Sequence, residues 1–369
     1  MVVRKVRPMS AENDPVELLR GALAIASPSG EEEAVADYLV AAMQQWGYDR
    51  AFIDEAGNAV GERGDPLAPH TIVLLGHMDT APGAIPVRVE AGRLYGRGSV
   101  DAKGPLCAFL AAAARVAVPA AWRIVVAGAV EEEAATSKGA RHIVTRYRPA
   151  ACVIGEPSGW DRITLGYKGR LLARLEARQP SGHTAGPLAS VCEAAVTWWL
   201  GVKRFAEEFN QGREAAFDRI LPSLRAINTA SDGLDDQVEA TVALRLPLDV
   251  ERTQLEQALE DAVPKAPDLE TRITFWGYEP AYRAAKNTLL ARAFIAAIRT
   301  QGGQPGFKVK TGTSDMNVVG PAWECPIVAY GPGDSSLDHT PQEHIDLDEY
   351  RAAIDVLRGA LAYVMMTDE

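Results

Sequence analysis

Several things are scarce in this chain, and each absence closes a class of function. There are only four cysteines in 369 residues, Cys107, Cys152, Cys192 and Cys325, and none is in a CxxC pair. That argues against a zinc ribbon, a redox motif or a disulfide scaffold. All four read as buried free thiols of a protein kept in a reducing cytoplasm. No apolar run approaches the roughly 20 residues needed to cross a bilayer. Residues 1–10 have basic side chains but no apolar core behind them, so they do not read as a signal peptide. Positive charge is in deficit too: the net charge of −11 disfavours nucleic acid as a partner. It also means that an acidic protein partner would need a local basic patch. The glycine-rich stretch 96–104 lacks GxxxxGK followed by Ser or Thr and follows no core strand, so it does not read as a nucleotide loop. Internal repeats are absent, and the only low-complexity tract is an alanine-rich helix.

What remains is the composition of a soluble globular protein, 47% hydrophobic and 24% charged, long enough for two cores. The first ~165 residues alternate helix and strand signals. Helical spacing spans 16–25, 31–46 and the alanine-rich 102–118, while 71–75, 123–130 and 150–154 read as strands. That alternation predicts an α/β domain with a mainly parallel sheet and helices on both faces. From Ile163 the texture changes to strand 163–177, helix 188–209, strand 237–246, helix 255–263 and strand 271–278. This suits a small α+β domain. After Pro280 the first texture returns with helix 287–301, the apolar segment 326–330 and a final helix 347–366. The expected organisation is one domain, 1–165 plus 276–369, interrupted by a second at 166–275.

Five acidic or histidine clusters sit at strand ends or in the loops beside them. The first is Gly76-His77-Met78-Asp79-Thr80, directly after the apolar strand. Residues two apart in a strand face the same side, so His77 and Asp79 converge while Met78 points away. The second delivers Asp101 to the start of a helix, where it would also serve as a plain N-cap. The third, Glu131-Glu132-Glu133, caps an apolar strand; it is either a solvated charge run or a set of carboxylates that needs a cation. Glu156 and the loop 331–340, with His339 near its end, complete the set. Two histidines and three or four carboxylates, with no thiolate, suit zinc, cobalt or manganese in an open site. Two such ions sharing a carboxylate, about 3.5–4 Å apart, make an amide-hydrolysing centre.

The order His-x-Asp, glycine-rich Asp, Glu-Glu, Glu-Pro and late His resembles the co-catalytic metallopeptidase family. That family includes acetylornithine deacetylase, succinyl-diaminopimelate desuccinylase, glutamate carboxypeptidase and the aminoacylases. The likeness spans nearly the whole chain. The stretches 227–233, 311–317 and 331–343 look closer still to the lysine-biosynthesis hydrolases that release lysine or ornithine from an amino-group carrier protein. The resemblance implies a two-zinc aminopeptidase-like sheet domain carrying an inserted ferredoxin-like lid and dimerisation domain. It implies two divalent ions, most often Zn2+ with Co2+ as an alternative. His77 and Glu156 would hold one, Glu133 and His339 the other, with Asp101 as bridge. Asp79 would orient His77, and Glu132 would be the general base. His183 would reach the partner subunit's site in a homodimer and stabilise the oxyanion. Arg245, Asn228 and Thr313 would meet the substrate, and the Asp101–Ala102 peptide would be cis. The family usually reads Asp-Glu-Glu where this chain reads Glu-Glu-Glu, so Glu131 as base with Glu132 as ligand stays open. Lys168, Arg170, Lys308 and Lys310 are candidates for a basic patch facing an acidic carrier. Deacetylation of N-acetyl-lysine or N-acetyl-ornithine, dipeptide hydrolysis, and a non-catalytic metal-binding dimer are the alternatives.

Overall fold

The computed structural model describes residues 13–183 and 189–367, and these fall into two compact units. One comprises the chain up to Gly166, Ala284–Val309 and the chain from Ser314 onward; the other comprises Tyr167–Arg283 and Lys310–Thr313.

The first unit is built on a mixed sheet with a parallel centre. The strands Trp122–Ala129, His70–His77, Ala151–Gly155 and Ile327–Tyr330 lie side by side and parallel. Antiparallel pairing with Ala59–Gly64 and then Arg50–Ile53 extends the sheet at one edge, and Arg162–Tyr167 joins antiparallel at the other. Ile72, Val73, Leu74 and Leu75 are all fully buried, so both faces of the central strand are covered. That is why this segment is continuously apolar rather than alternating. The alanine-rich helix, Lys103–Arg115, is buried on nearly every side. It packs on the central strands and against the final helix, Leu347–Met366. Small side chains let the backbones approach: a Cβ on Gly76 would sit 3.3 Å from Leu106.

The second unit is a four-stranded antiparallel sheet in the order Leu221–Ser231, Asp235–Leu246, Gly169–Pro180, Glu270–Glu279. Helix Val191–Phe209 follows its first strand and Arg252–Asp261 its third, which is the βαββαβ order of a ferredoxin-like fold. The strands Gly169–Pro180 and Asp235–Leu246 alternate over most of their length, with one face buried and the other half-exposed. The buried face meets Trp198, whose indole N–H donates to the Leu259 carbonyl at 3.0 Å. The long helix begins at Val191, and Ser190 and Glu193 form a capping box at its start. The expected beginning at Leu188 lies outside the described residues.

Three expectations need correction. The single strand 163–177 is two strands, Arg162–Tyr167 and Gly169–Pro180, in different sheets. The edge strand Leu221–Ser231 has no counterpart in the sequence reading. The cysteines are not all buried: Cys107 and Cys152 are, Cys325 is half-buried and Cys192 is exposed, because it lies on the outer side of the long helix. No helix among the described residues is long and apolar enough to cross a membrane.

Candidate active site

Parallel register brings the site residues together. Gly76 pairs with Gly155 on adjacent strands and His77 pairs with Ala129. The chain therefore leaves three neighbouring strands at one level, carrying His77, Glu156 and the segment 131–133. This is the carboxyl edge of the strands, where open α/β sheets hold their ligands. The loops after Gly96 and Gly331 supply Asp101 and His339.

His77 is almost fully buried. Its Nδ1–H donates to the Asp79 carbonyl oxygen at 3.0 Å and lies 3.4 Å from the Asp79 carboxylate. That fixes the ring and turns Nε2 into the site. Nε2 is 3.3 Å from Asp101 Oδ1, 3.8 Å from Glu132 Oε2 and 4.0 Å from Glu156 Oε1. The other oxygen of Asp101 is 3.0 Å from His339 Nε2, which also lies 2.8 Å from Glu133 Oε1. One carboxylate thus faces both imidazoles. Its peptide bond to Ala102 is cis. Two overlapping groups have donor atoms within 4.8 Å of one another: His77, Asp101 and Glu156, and Asp101, Glu133 and His339. Glu132 belongs to neither.

Glu131 faces away. Its carboxylate accepts from the Thr136 hydroxyl at 2.6 Å and pairs with Lys138, and its backbone takes a left-handed φ of 56°. That geometry turns Glu132 and Glu133 inward, and not Glu131.

The electrostatics are those of crowded carboxylates. Burial pushes the Glu132 carboxyl well up, and Glu156, Asp315 and Glu133 push it further while His77 opposes them. Burial works to lower His77, but Glu132, Asp101 and Asp79 together hold it well above its usual value. Hydrogen bonds to Asp101 and Glu133 raise His339 to about 10. Asp79 shifts the opposite way to Glu132: burial raises it, yet His77, the Ser29 hydroxyl and the Glu133 amide hold it below the usual carboxylate range. Carboxylates crowded together, with imidazoles directed among them, fit a divalent cation. The donors are all nitrogen and oxygen, which suits a divalent ion in an open site rather than a closed thiolate site.

The remaining candidates lie in the second unit. Arg245 Nη1 donates to Thr313 Oγ1 at 2.6 Å, and Thr313 Oγ1 donates to the Lys168 carbonyl at 3.1 Å. Asn228 is not beside them: Arg245 lies opposite Leu221 at one end of the edge strand, and Asn228 lies opposite Glu239 towards the other. His183 is exposed, next to residues outside the described set. Lys168 does not belong to a basic surface. It is fully buried, and its ammonium donates to the carbonyls of Ala216, Phe217 and Arg219. The sequence reading missed Ser29, whose hydroxyl donates to Asp79 at 2.7 Å, and the buried Asp315 near Glu132. It also missed Glu343, whose carboxylate accepts from the amides of Gly98, Val100 and Asp101.

A mixed, centrally parallel sheet with two overlapping His/carboxylate groups at its carboxyl edge defines a class of metal-dependent hydrolases. The sequence places the chain within it: the model of peptidase family M20/M25/M40 matches residues 73–363, and the chain belongs to that family. It is 50% identical to the LysW-lysine hydrolase of Deinococcus radiodurans over 94% of this chain and 95% of that one. It is 39% identical to a putative LysW-lysine/LysW-ornithine hydrolase of Thermococcus kodakarensis, over 95% of this chain and 92% of that one. In structure it resembles the M20 family metallo-carboxypeptidase Sso-CP2 of Sulfolobus solfataricus, with a TM-score of 0.76 at 18% identity. That likeness covers 96% of this chain and all of the other.

Proposed function

We propose that this protein is a two-metal amidohydrolase that releases lysine, or ornithine, from a γ-glutamyl amide on the carrier protein LysW. The observation that carries the catalytic reading is the position of Glu132. It reaches within 3.8 Å of His77 Nε2 yet belongs to neither ligand group. A carboxylate that approaches the ligands without being one is free to move protons. The substrate is supported by the 50% identical relative and by the sequence stretches named above. Zn2+ is the proposed metal, with Co2+ as the alternative, and the cytoplasm the proposed location.

His77, Asp101 and Glu156 would hold one ion, and Asp101, Glu133 and His339 the other. When bound, the ions supply Lewis-acid polarisation of the scissile carbonyl and make water a nucleophile near neutral pH. Glu132 takes a proton from the attacking water at its carboxylate. The water oxygen bonds to the amide carbon, the C–N bond breaks, and Glu132 returns the proton to the leaving amine. The products are a free amine and the carrier's carboxylate. Asp79 keeps the His77 ring in one tautomer. Arg245, anchored by Thr313, is proposed to bind the substrate carboxylate through its planar fork. Asn228 is assigned to the same task on resemblance alone. His183 is proposed to donate to the developing oxyanion in the partner subunit of a homodimer. The homodimer reading is supported by the outer edge of Leu221–Ser231, which pairs with no further strand among the described residues, and by the exposed Val196, Leu200 and Ile227.

The test compares product release from LysW γ-linked to lysine, LysW γ-linked to ornithine, Nα-acetyl-lysine and Nα-acetyl-ornithine, using protein reconstituted with Zn2+ or Co2+. Glu132→Gln runs alongside. Fast turnover of a carrier conjugate, lowered roughly 10²–10⁴-fold in Glu132→Gln with metal retained, is the expected result. Preference for an acetylated amino acid would make the protein a deacetylase. Retained activity in Glu132→Gln would remove Glu132 as the base.

A further inference from the structure

Glu343 has no solvent exposure. A buried carboxylate persists in its charged form only when it is hydrogen-bonded and compensated. Here both conditions are met by one short segment. Glu343 Oε1 accepts from the backbone N–H groups of Gly98, Val100 and Asp101 at 3.0, 2.9 and 3.1 Å. Oε2 accepts from Arg97 Nη1 at 2.7 Å. The same guanidinium donates to the Thr340 carbonyl at 3.3 Å and, through Nε, to the Gly83 carbonyl at 3.1 Å. The Gly96 N–H closes the joint on the Glu343 carbonyl at 3.4 Å.

These contacts join two site loops whose ligands lie several residues beyond the nearest strand pairing, on segments that also meet where Arg93–Tyr95 pairs with His344–Asp346. One carries Asp101; the other carries His339, which precedes Glu343 by one short turn of chain. Asp101 is tied directly through its own amide. Because its two oxygens lie 3.3 and 3.0 Å from the two imidazoles, any drift of its backbone would misplace it towards both ligand groups at once.

We propose that Glu343 is a positioning residue that locks the Asp101 and His339 loops into one unit. It thereby sets the affinity of the paired ion site and the rate of the chemical step. The inference rests on the reading of the site given above.

Glu343→Gln keeps the shape but turns an NH2 group either onto the three amides or onto Arg97, all of them donors. Three measurements on full-length protein decide the matter. In metal-free protein, amide exchange over residues 96–104 should speed up. In Co2+ titrations both binding steps should weaken, by about 10–100-fold, the usual loss when a ligand's outer support is removed, and the visible Co2+ absorption should change. In the reconstituted enzyme kcat should fall while KM stays near wild type. If Glu343→Gln does not fold, Arg97→Met decides instead, with a smaller loss in the same direction. A folded variant with wild-type exchange, two wild-type Co2+ affinities and an unchanged spectrum would overturn the proposal while leaving the site reading intact. A wild-type protein that fails to take up two ions would overturn both.

Discussion

Asp79→Asn is the most direct test of how the site is held. Four donors converge on this fully buried carboxylate. The Glu132 N–H reaches Oδ1 at 3.1 Å, with His77 Nδ1 3.4 Å away. The Glu133 N–H and the Ser29 hydroxyl reach Oδ2 at 2.9 and 2.7 Å. An asparagine has one oxygen to offer, so its NH2 must face two donors. The Ser29 hydroxyl can rotate and accept, whereas a backbone amide cannot, so the amide group settles with its nitrogen towards Ser29 and Glu133. That leaves the Glu133 N–H without an acceptor, at about 1–3 kcal/mol, and removes charge assistance from the other bonds. Neutralising one of several crowded acids offsets part of this. The offset is the smaller effect, because the surroundings hold Asp79 below its usual pKa and therefore favour its charged form. A net loss on the order of 2–3 kcal/mol is expected, read as a lower urea midpoint at unchanged slope in metal-free protein. Ser29→Ala, which removes one donor, should cost about 1 kcal/mol. His77 and Glu133 belong to different ligand groups and both lose an anchor, so both Co2+ affinities should fall by roughly 10–100-fold. Wild-type stability together with wild-type affinities would refute the reasoning.

Metal binding should depend on pH in a direction the site dictates. His339 keeps its proton up to about 10 in metal-free protein, and a ligating ring must lose it. Affinity of the Asp101–Glu133–His339 group should therefore rise with pH, by up to about tenfold per unit below that value, with proton release measurable by calorimetry in buffers of different ionisation heat. Stability of the metal-free protein runs the other way. The folded pKa lies above the ordinary 6.5, so the contribution is fully present below 6.5 and fades as pH rises through about 10. An affinity that is flat between about pH 6 and 9 would contradict this account. Gly104→Ala should damage the Asp101 loop without touching a ligand. The added Cβ would lie 2.1 Å from the Ser99 carbonyl oxygen and 3.1 Å from Ile345. Because the nearer obstacle is backbone, relief requires the loop to move, costing about 1–3 kcal/mol in a thermal or urea melt, with a parallel drop in kcat.

The sheet core is legible in sequence because its strands are buried on both faces, which writes them as unbroken apolar runs bounded by polar residues. The final helix, Leu347–Met366, is equally plain, with Asp346 capping two amides of its first turn and a long apolar face. Where burial fades, so does the signal. The edge strand Leu221–Ser231 is exposed along most of its length and has Pro222 near its start, so nothing in it alternates strongly enough to read as a strand. Lys168 fails for the opposite reason. A lysine is read as surface, and only the three carbonyls that converge on its ammonium explain why it is buried at the break between two strands.

The candidate ligands can be read because their chemistry is unusual: acids and histidines at the ends of apolar strands have few other uses. Of the supports, Asp79 is legible because it stands two residues from His77, but the partners of a buried carboxylate are set by topology and leave no local signature. Ser29 and Asp79 are 50 residues apart, and Gly98 and Glu343 are 245 apart. A strand pattern fixes where His77 and Glu156 emerge, since parallel register alone places them side by side. The pairing of Arg93–Tyr95 with His344–Asp346 brings their loops together, but Asp101 and His339 themselves lie in irregular stretches outside it. Their separation must be held by something else, and the one carboxylate that three amides and a guanidinium share is suited to that task. Sequence reasoning thus proposes candidates for metal and substrate, and Asp79 beside His77, but overlooks Ser29 and Glu343, and the oversight is greatest where regular structure does the least aiming.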